Sequence, residues 1–146
     1  MIRLAEPEDV PTIETLVCEA FALYLPRMDR PPGPMLDDYA AHVAAGRASV
    51  LTRHGRIAGV LILAPEDDHL LLDTVAVSPR FQGKGIGRAL VAHAETEARR
   101  LGLPEVRLYT NEVMTENLPL YRHLGFVETH RAAENGYRRV FMTKRL

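Results

Sequence analysis

Apolar positions along this chain change their period several times, and each change marks an element. Ile2 to Leu4 reads as a short strand. Ile13, Leu16, Val17 and Ala20 then recur at helical spacing, which predicts an amphipathic helix entered through Glu8 or Asp9 with Pro11 in its first turn. The stretch "LPRMDRPPGPMLDD", Leu25 to Asp38, carries four prolines and a glycine and predicts a surface loop without regular structure. Leu36 to Ala45 reads as a short helix ended by Gly46. The period then falls to two. Ala48 to Arg53 and Arg56 to Ala64 read as strands joined by a hairpin turn at His54 and Gly55, and a third strand runs from His69 to Val77, stopped by Pro79. Gly87, Leu90, Val91, Ala94, Ala98 and Leu101 fall on one face of a long helix capped by Gly102, with Arg88, Glu95, Arg99 and Arg100 elsewhere. Glu105 to Thr110 is a further strand and Thr115 to Leu124 a helix stopped by Gly125. Phe126 to Arg131 pairs with Arg138 to Lys144 across "ENG".

This order of elements predicts an α/β (α+β) fold, a mixed sheet with helices against it rather than a regularly alternating doubly wound one. No repeat, low-complexity tract or charge block interrupts the chain, so residues 1–146 are expected to form one domain with a real core. The strand from Arg138 to Lys144 is expected to offer an edge that could pair in a homodimer.

Charge and composition narrow the function by exclusion. A net charge of −1 with interspersed signs gives no reason to expect nucleic acid or an anionic membrane as partner. No apolar run approaches the ~18 residues that span a bilayer, and "MIRLAEPEDV" lacks a basic and apolar leader. The lone Cys18, expected in the core of the first helix, excludes an intramolecular disulfide and suits a reducing compartment. A cytoplasmic protein is expected. The six histidines form no short metal-ligand pattern, so no metal is expected.

Candidate chemistry concentrates in "VAVSPRFQGKGIGRALVAHAE", Val75 to Glu95. A Walker A loop fails because Lys84 is followed by Gly85 with no hydroxyl residue after it, and a dinucleotide fingerprint fails because its third glycine position holds Arg88. What remains is a strand, a glycine-rich turn and a helix N-terminus. Its free N–H groups and dipole suit a pyrophosphate without a metal. The alternative is that Gly83, Gly85 and Gly87 only make a turn and let the helix pack closely.

"QGKGIG", Gln82 to Gly87, resembles the Gln/Arg-x-x-Gly-x-Gly/Ala signature of the GNAT superfamily of N-acetyltransferases. It follows "LDTVAV", where that family has its cofactor strand, and precedes "LYRHLGF", Leu120 to Phe126, which looks like the family's Leu-Tyr-x-x-x-Gly-Phe segment. The resemblance implies a mostly antiparallel central sheet of about six or seven strands. It also implies acetyl-CoA as donor and direct acetyl transfer to a primary amine, without metal or covalent acyl-enzyme. It places the pyrophosphate on the backbone of Gln82, Gly83, Lys84, Gly85, Ile86, Gly87 and Arg88, with Lys84 and Arg88 adding charge. The pantetheine would pair with the backbone of Val75, Ala76 and Val77, much as an added strand does. Tyr121 is the family-equivalent general acid for the leaving thiolate.

Asp73, two residues before Val75, matches a position where some relatives carry a carboxylate. It would take the amine proton through water, attract a cationic amine, or be a carboxylate satisfied within the fold. Where the family often has Asn and Ala, seven and four residues before the tyrosine, this chain has Met114 and Asn117. Asn117 takes over a cofactor contact or else orients its helix. The acceptor is expected to be a small-molecule amine. A protein lysine or N-terminal amine is the second reading, and a non-catalytic acyl-CoA sensor the third. Asp37 and Asp38 would recognise a cation or mark a helix start, and Tyr109, Thr110 and Asn111 end a strand near the expected transfer centre.

Overall fold

Residues 1–146 are described by a computed structural model. The chain forms β1 (Ile2–Leu4), α1 (Val10–Phe21), α2 (Tyr39–Ala44), β2 (Ala48–Arg53), β3 (Arg56–Pro65), β4 (Leu70–Val77), α3 (Ile86–Arg100), β5 (Glu105–Asn111), α4 (Asn117–His123), β6 (Val127–Glu134) and β7 (Tyr137–Arg145). The strands hydrogen-bond in the order β1-β2-β3-β4-β5-β7-β6. β1 with β2, β2 with β3, β5 with β7 and β6 with β7 run antiparallel, while β4 pairs with β5 in parallel. This is the mixed α/β sheet that the order of elements predicts, mostly antiparallel as the family resemblance implies. No helix is long and apolar enough to cross a membrane.

The chain divides into two compact units, with β4 and α3 contributing to both. In the first, Met1–Leu63 with Thr74–Ala92, α1 buries Ile13, Leu16 and Val17 among Ala48 and Val50 of β2, Val60 and Ile62 of β3, Ala76 of β4 and Tyr39 of α2. Asp9, at the start of α1, accepts from the Arg3 guanidinium at 2.7 and 3.2 Å and from the Glu6 N–H at 2.8 Å, tying β1 to the helix. His54 and Gly55 both have positive φ, the conformation a two-residue hairpin turn demands.

Three expectations need correction in this unit. Cys18 is exposed, because the buried stripe of α1 runs through Ile13, Leu16 and Val17 and leaves the next residue outside. The proline-rich stretch is not wholly irregular. One 3₁₀ segment, Ala22–Arg27, runs into it with Pro26 inside, and a second, Gly33–Leu36, lies within it with proline in its first turn, since such turns need only i→i+3 bonds. Helix α2 starts at Tyr39 rather than Leu36, because Asp38 Oδ1 accepts the Ala41 N–H at 3.0 Å and so fixes the N-cap.

The second unit, Ala64–Asp73 with His93–Leu146, buries Leu70, Leu72, Ala94, Ala98, Val106, Leu108, Met114, Phe126, Val140 and Met142. Here β7 lies between β5 and β6, so the expected edge at Arg138 to Lys144 is an interior strand and β6 is the outer one. The register explains the inversion. Val140 and Met142 pair with Thr110 and Leu108 and carry the buried positions of β7, whereas most of β6 is exposed. Leu101, expected on the apolar face of α3, is exposed, because the helix ends at Arg100 and the chain turns away at Gly102. Helix α4 starts at Asn117 rather than Thr115.

Candidate functional site

Burial alternates along β4. Leu70, Leu72, Thr74 and Ala76 are buried, while Leu71, Asp73, Val75 and Val77 are half-buried. Asp73, Val75 and Val77 therefore share one set of alternate positions, as the two-residue period requires. Ala76 packs into the core of the first unit, so it has no side chain to offer a ligand. The parallel register of β4 takes in Leu70↔Val106 and Leu71↔Arg107.

The strand closes with the Ser78 N–H donating to the Ala58 carbonyl at 2.8 Å, followed by a 3₁₀ turn, Pro79–Phe81. Gln82 is extended, and Gly83 and Gly85 then take φ of +76° and +77°. A Cβ at either glycine would meet no atom within 4 Å, so the backbone conformation and not crowding requires glycine there. Ala89 N–H closes the first turn bond of α3 onto the Gly85 carbonyl at 3.0 Å. The N–H groups of Ile86, Gly87 and Arg88 precede that bond and have no carbonyl within the helix. Left-handed residues alternating through a turn aim successive N–H groups into one concavity, which favours an anion. The exposed cations Lys84 and Arg88 flank it, with Lys84 Nζ 5.9 Å from the centre of the Phe81 ring. Ile86 is buried, so it too offers only backbone.

What holds this loop in place is a close approach beneath it. A Cβ on Gly59 of β3 would stand 2.8 Å from Ile86 Cγ2, 2.9 Å from Leu90 Cδ1 and 3.4 Å from the Ala76 carbonyl. The first turn of α3 thus sits directly on the bare backbone of β3. Gly87 differs. A Cβ there would find Val77 Cγ2 at an ordinary 3.7 Å, and its φ is not left-handed. Elsewhere in the first unit, a groove of about 280 Å³ is lined by Thr12, Thr15 and Glu19 of α1 together with Ile57, Ser78 and Arg80.

The acidic pair before α2 separates into two jobs. Asp38 caps the helix, while Asp37 Oδ2 lies 2.7 Å from His42 Nε2. Arg47 Nε donates to His42 Nδ1 at 3.1 Å, so Nδ1 is an acceptor and the Nε2 proton is directed at Asp37. Sequence reading missed this chain, because a histidine five residues from an aspartate has no motif to announce it.

In the second unit, Tyr121 lies half-buried on α4. Its ring meets Phe126 edge-on, centroids 5.8 Å apart and planes at 68°, and its carbonyl accepts the Phe126 N–H at 2.9 Å. Asn117 Nδ2 donates to Thr110 Oγ1 at 3.2 Å and approaches Met114 Sδ at 3.7 Å. Thr110 and Met114 are themselves buried, so the asparagine ties the start of α4 to the end of β5. Asn111 Oδ1 accepts the Val113 N–H at 3.1 Å and shapes the turn that follows. Tyr109 packs against Phe141, with the Arg139 guanidinium 4.3 Å from its ring centre.

The Acetyltransferase (GNAT) family model matches residues 12–126, a span that runs through both units. The chain is 36% identical over 102 residues to mycothiol acetyltransferase of Thermobifida fusca (strain YX), covering 64% of this chain and 30% of that protein. It is 33% identical over 78 residues to the ribosomal protein bS18-alanine N-acetyltransferase of Escherichia coli (strain K12), 53% of each. The matches thus span about a third to a half of those two relatives. Among solved structures, the PaiA N-acetyltransferase of Thermoplasma acidophilum in complex with coenzyme A superposes with a TM-score of 0.84 at 17% identity, over 100% of this chain and 98% of that one. That likeness shows the fold.

Proposed function

This chain belongs to the acetyltransferase (GNAT) family, and on that premise we propose that it moves the acetyl group of acetyl-CoA directly to a primary amine of a small molecule, with residues 1–146 acting as one catalytic domain. Acetyl-CoA supplies an acyl group activated as a thioester. The observation that carries the reading is the Gln82–Arg88 loop. Left-handed glycines at 83 and 85 and three N–H groups ahead of the first bond of α3 make a backbone cradle that fits a pyrophosphate. Lys84 and Arg88 add charge to it, and no carboxylate residue lies between Val75 and Arg88 to oppose the anion.

The pantetheine pairs with the backbone of Val75, Ala76 and Val77. The register with β5 involves Leu70 and Leu71, and the buried Ala76 side chain leaves main chain as the means of contact there. Transfer forms a C–N bond and breaks a C–S bond, so the amine must lose a proton and the leaving sulfur must gain one. An amine of lysine-like pKa, about 10.4, is almost wholly protonated at neutral pH. Asp73 attracts that cation and receives its proton through water, while Tyr121 donates to the sulfur. Packing against Phe126 gives the phenol a fixed orientation, which proton donation needs. The Asn117 amide nitrogen is engaged with Thr110 and Met114, which favours the orienting role over a cofactor contact.

The test is release of free CoA from acetyl-CoA with and without a panel of polyamines, amino acids and aminoglycosides, in the wild type and Tyr121→Phe. Amine-dependent release that falls ~10²–10⁴-fold in the variant is expected. No binding of CoA by the wild type would sink the reading of the loop. A peptide beginning with alanine belongs in the same panel, because the relative named for alanine of ribosomal protein bS18 favours a protein amine as the second reading.

A further inference from the structure

We infer that Lys144, with Glu95 as its counter-charge, is a positioning residue for Tyr121, clamping the C-terminal end of the helix that carries it. The inference rests on the acyltransferase reading above. Lys144 Nζ on β7 donates to the Leu124 carbonyl at 2.8 Å and lies 2.9 Å from Glu95 Oε1 on α3. Leu124 is the C-cap of α4, whose own N–H turns back to the Leu120 and Arg122 carbonyls. The last carbonyls of a helix lack partners and carry partial negative charge, so an ammonium group there satisfies one of them and complements the dipole.

The helix cannot set its own direction. At seven residues α4 makes about two turns, and helices that short are held by tertiary contacts. The lysine stem supplies one. A Cβ on Gly125 would stand 3.0 Å from Lys144 Cε, 3.2 Å from Nζ and 3.3 Å from Cδ, and Gly125 has φ +99°. Glycine therefore both makes the turn and lets the lysine cross it. On the other side of the same turn, the Phe126 N–H bonds the Tyr121 carbonyl and the Phe126 ring meets the tyrosine ring. Tyr121 is thus pinned by a turn whose far side Lys144 holds. The pair is largely withdrawn from water, with side chains 26% and 14% exposed, and Glu95 has a second, looser cation in Arg99 Nη2 at 3.9 Å.

Incorporation of 3-fluorotyrosine gives five ¹⁹F resonances, one per tyrosine, and Tyr121→Phe identifies the one in question. In Lys144→Met, which keeps the stem and removes the ammonium, the Tyr121 resonance is expected to shift and broaden while those of Tyr24, Tyr39 and Tyr109 stay in place. Glu95→Gln, which preserves shape and the bond to Leu124, should shift it less, and it carries the test if Lys144→Met does not fold. With the best amine of the panel, kcat should fall about 10-fold with KM for acetyl-CoA within about 2-fold, and the loss should vanish in a Tyr121→Phe background. An unmoved Tyr121 resonance, or an equal loss of kcat in both backgrounds, overturns the clamp. Wild-type kcat in Tyr121→Phe alone overturns the acid assignment and the clamp together, and the single variant tells that outcome apart.

Discussion

Replacing Gly59 by alanine tests whether the seat of α3 on β3 governs both folding and cofactor binding. The new methyl would lie 2.8 Å from Ile86 Cγ2 and 2.9 Å from Leu90 Cδ1. Ordinary carbon–carbon contact is about 3.5–4.0 Å. Leu90 can rotate its terminal methyl away. Ile86 is β-branched, is almost fully buried and occupies the first position of α3, so relief there means moving the helix N-terminus by about 0.7 Å or more. Overpacking of this kind costs about 1–3 kcal/mol, or roughly 3–10 °C in Tm for a chain of this size. The same displacement re-aims the N–H groups of Ile86 to Arg88, and errors approaching 1 Å in a positioned group cost up to about 100-fold. Thermal unfolding and calorimetric titration with CoA are the assays, with Gly87→Ala as control for the unfolding. That control introduces the same methyl one residue beyond Ile86 but meets only Val77 at 3.7 Å, and it should melt level with or up to about 1 kcal/mol above the wild type. The reasoning fails if Gly59→Ala melts within a degree of the wild type and binds CoA equally well.

Gly83→Ala and Gly85→Ala should each cost about 1–2 kcal/mol, because their φ is left-handed, and should weaken CoA far more than they lower Tm, since no atom crowds either site. Asn117→Ala should lower Tm by about 3 °C through the lost bond to Thr110 and leave CoA affinity within about 2-fold; a large loss of affinity with Tm unchanged would restore the cofactor contact. The bond from Arg3 holds the Asp9 carboxyl below the usual carboxylate range, reinforced by the Glu6 N–H. Its contribution is therefore present above about pH 4 and is lost as pH falls through the depressed value. Asp9→Asn should destabilise by about 1 kcal/mol at pH 7, with the gap narrowing in unfolding curves taken below pH 4.

Strong periodicity made most of the fold legible. The alternation in β4 placed Asp73, Val75 and Val77 together, and the apolar stripe of α1 stood out against polar neighbours. The errors fell where long-range pairing decides the outcome. Nothing local in Arg138 to Lys144 tells that it inserts beside β5 rather than lying outermost, because a strand buried on one face reads alike in either place. The start of α2 turned on one cap, Asp38, against an apolar Leu36 that favoured an earlier beginning. The left-handed turn at Gly83 and Gly85 was readable because glycine at alternate positions is a backbone requirement written in the sequence. Lys144, Glu95 and His42 were not, since their partners are set by where separate elements come to rest.

The interior place of β7 has a consequence for how the protein is made. The strand that joins β5 to β6 is the last of the seven to be synthesised, so β5 and β6 lack the partner between them until Tyr137 to Arg145 have emerged. The turn at Asn135 and Gly136 lets β6 and β7 meet locally first, and the hairpin must then find β5 as a unit. Until it docks, the edge of β5 stays open, the condition under which a growing chain is most prone to pair with the wrong neighbour.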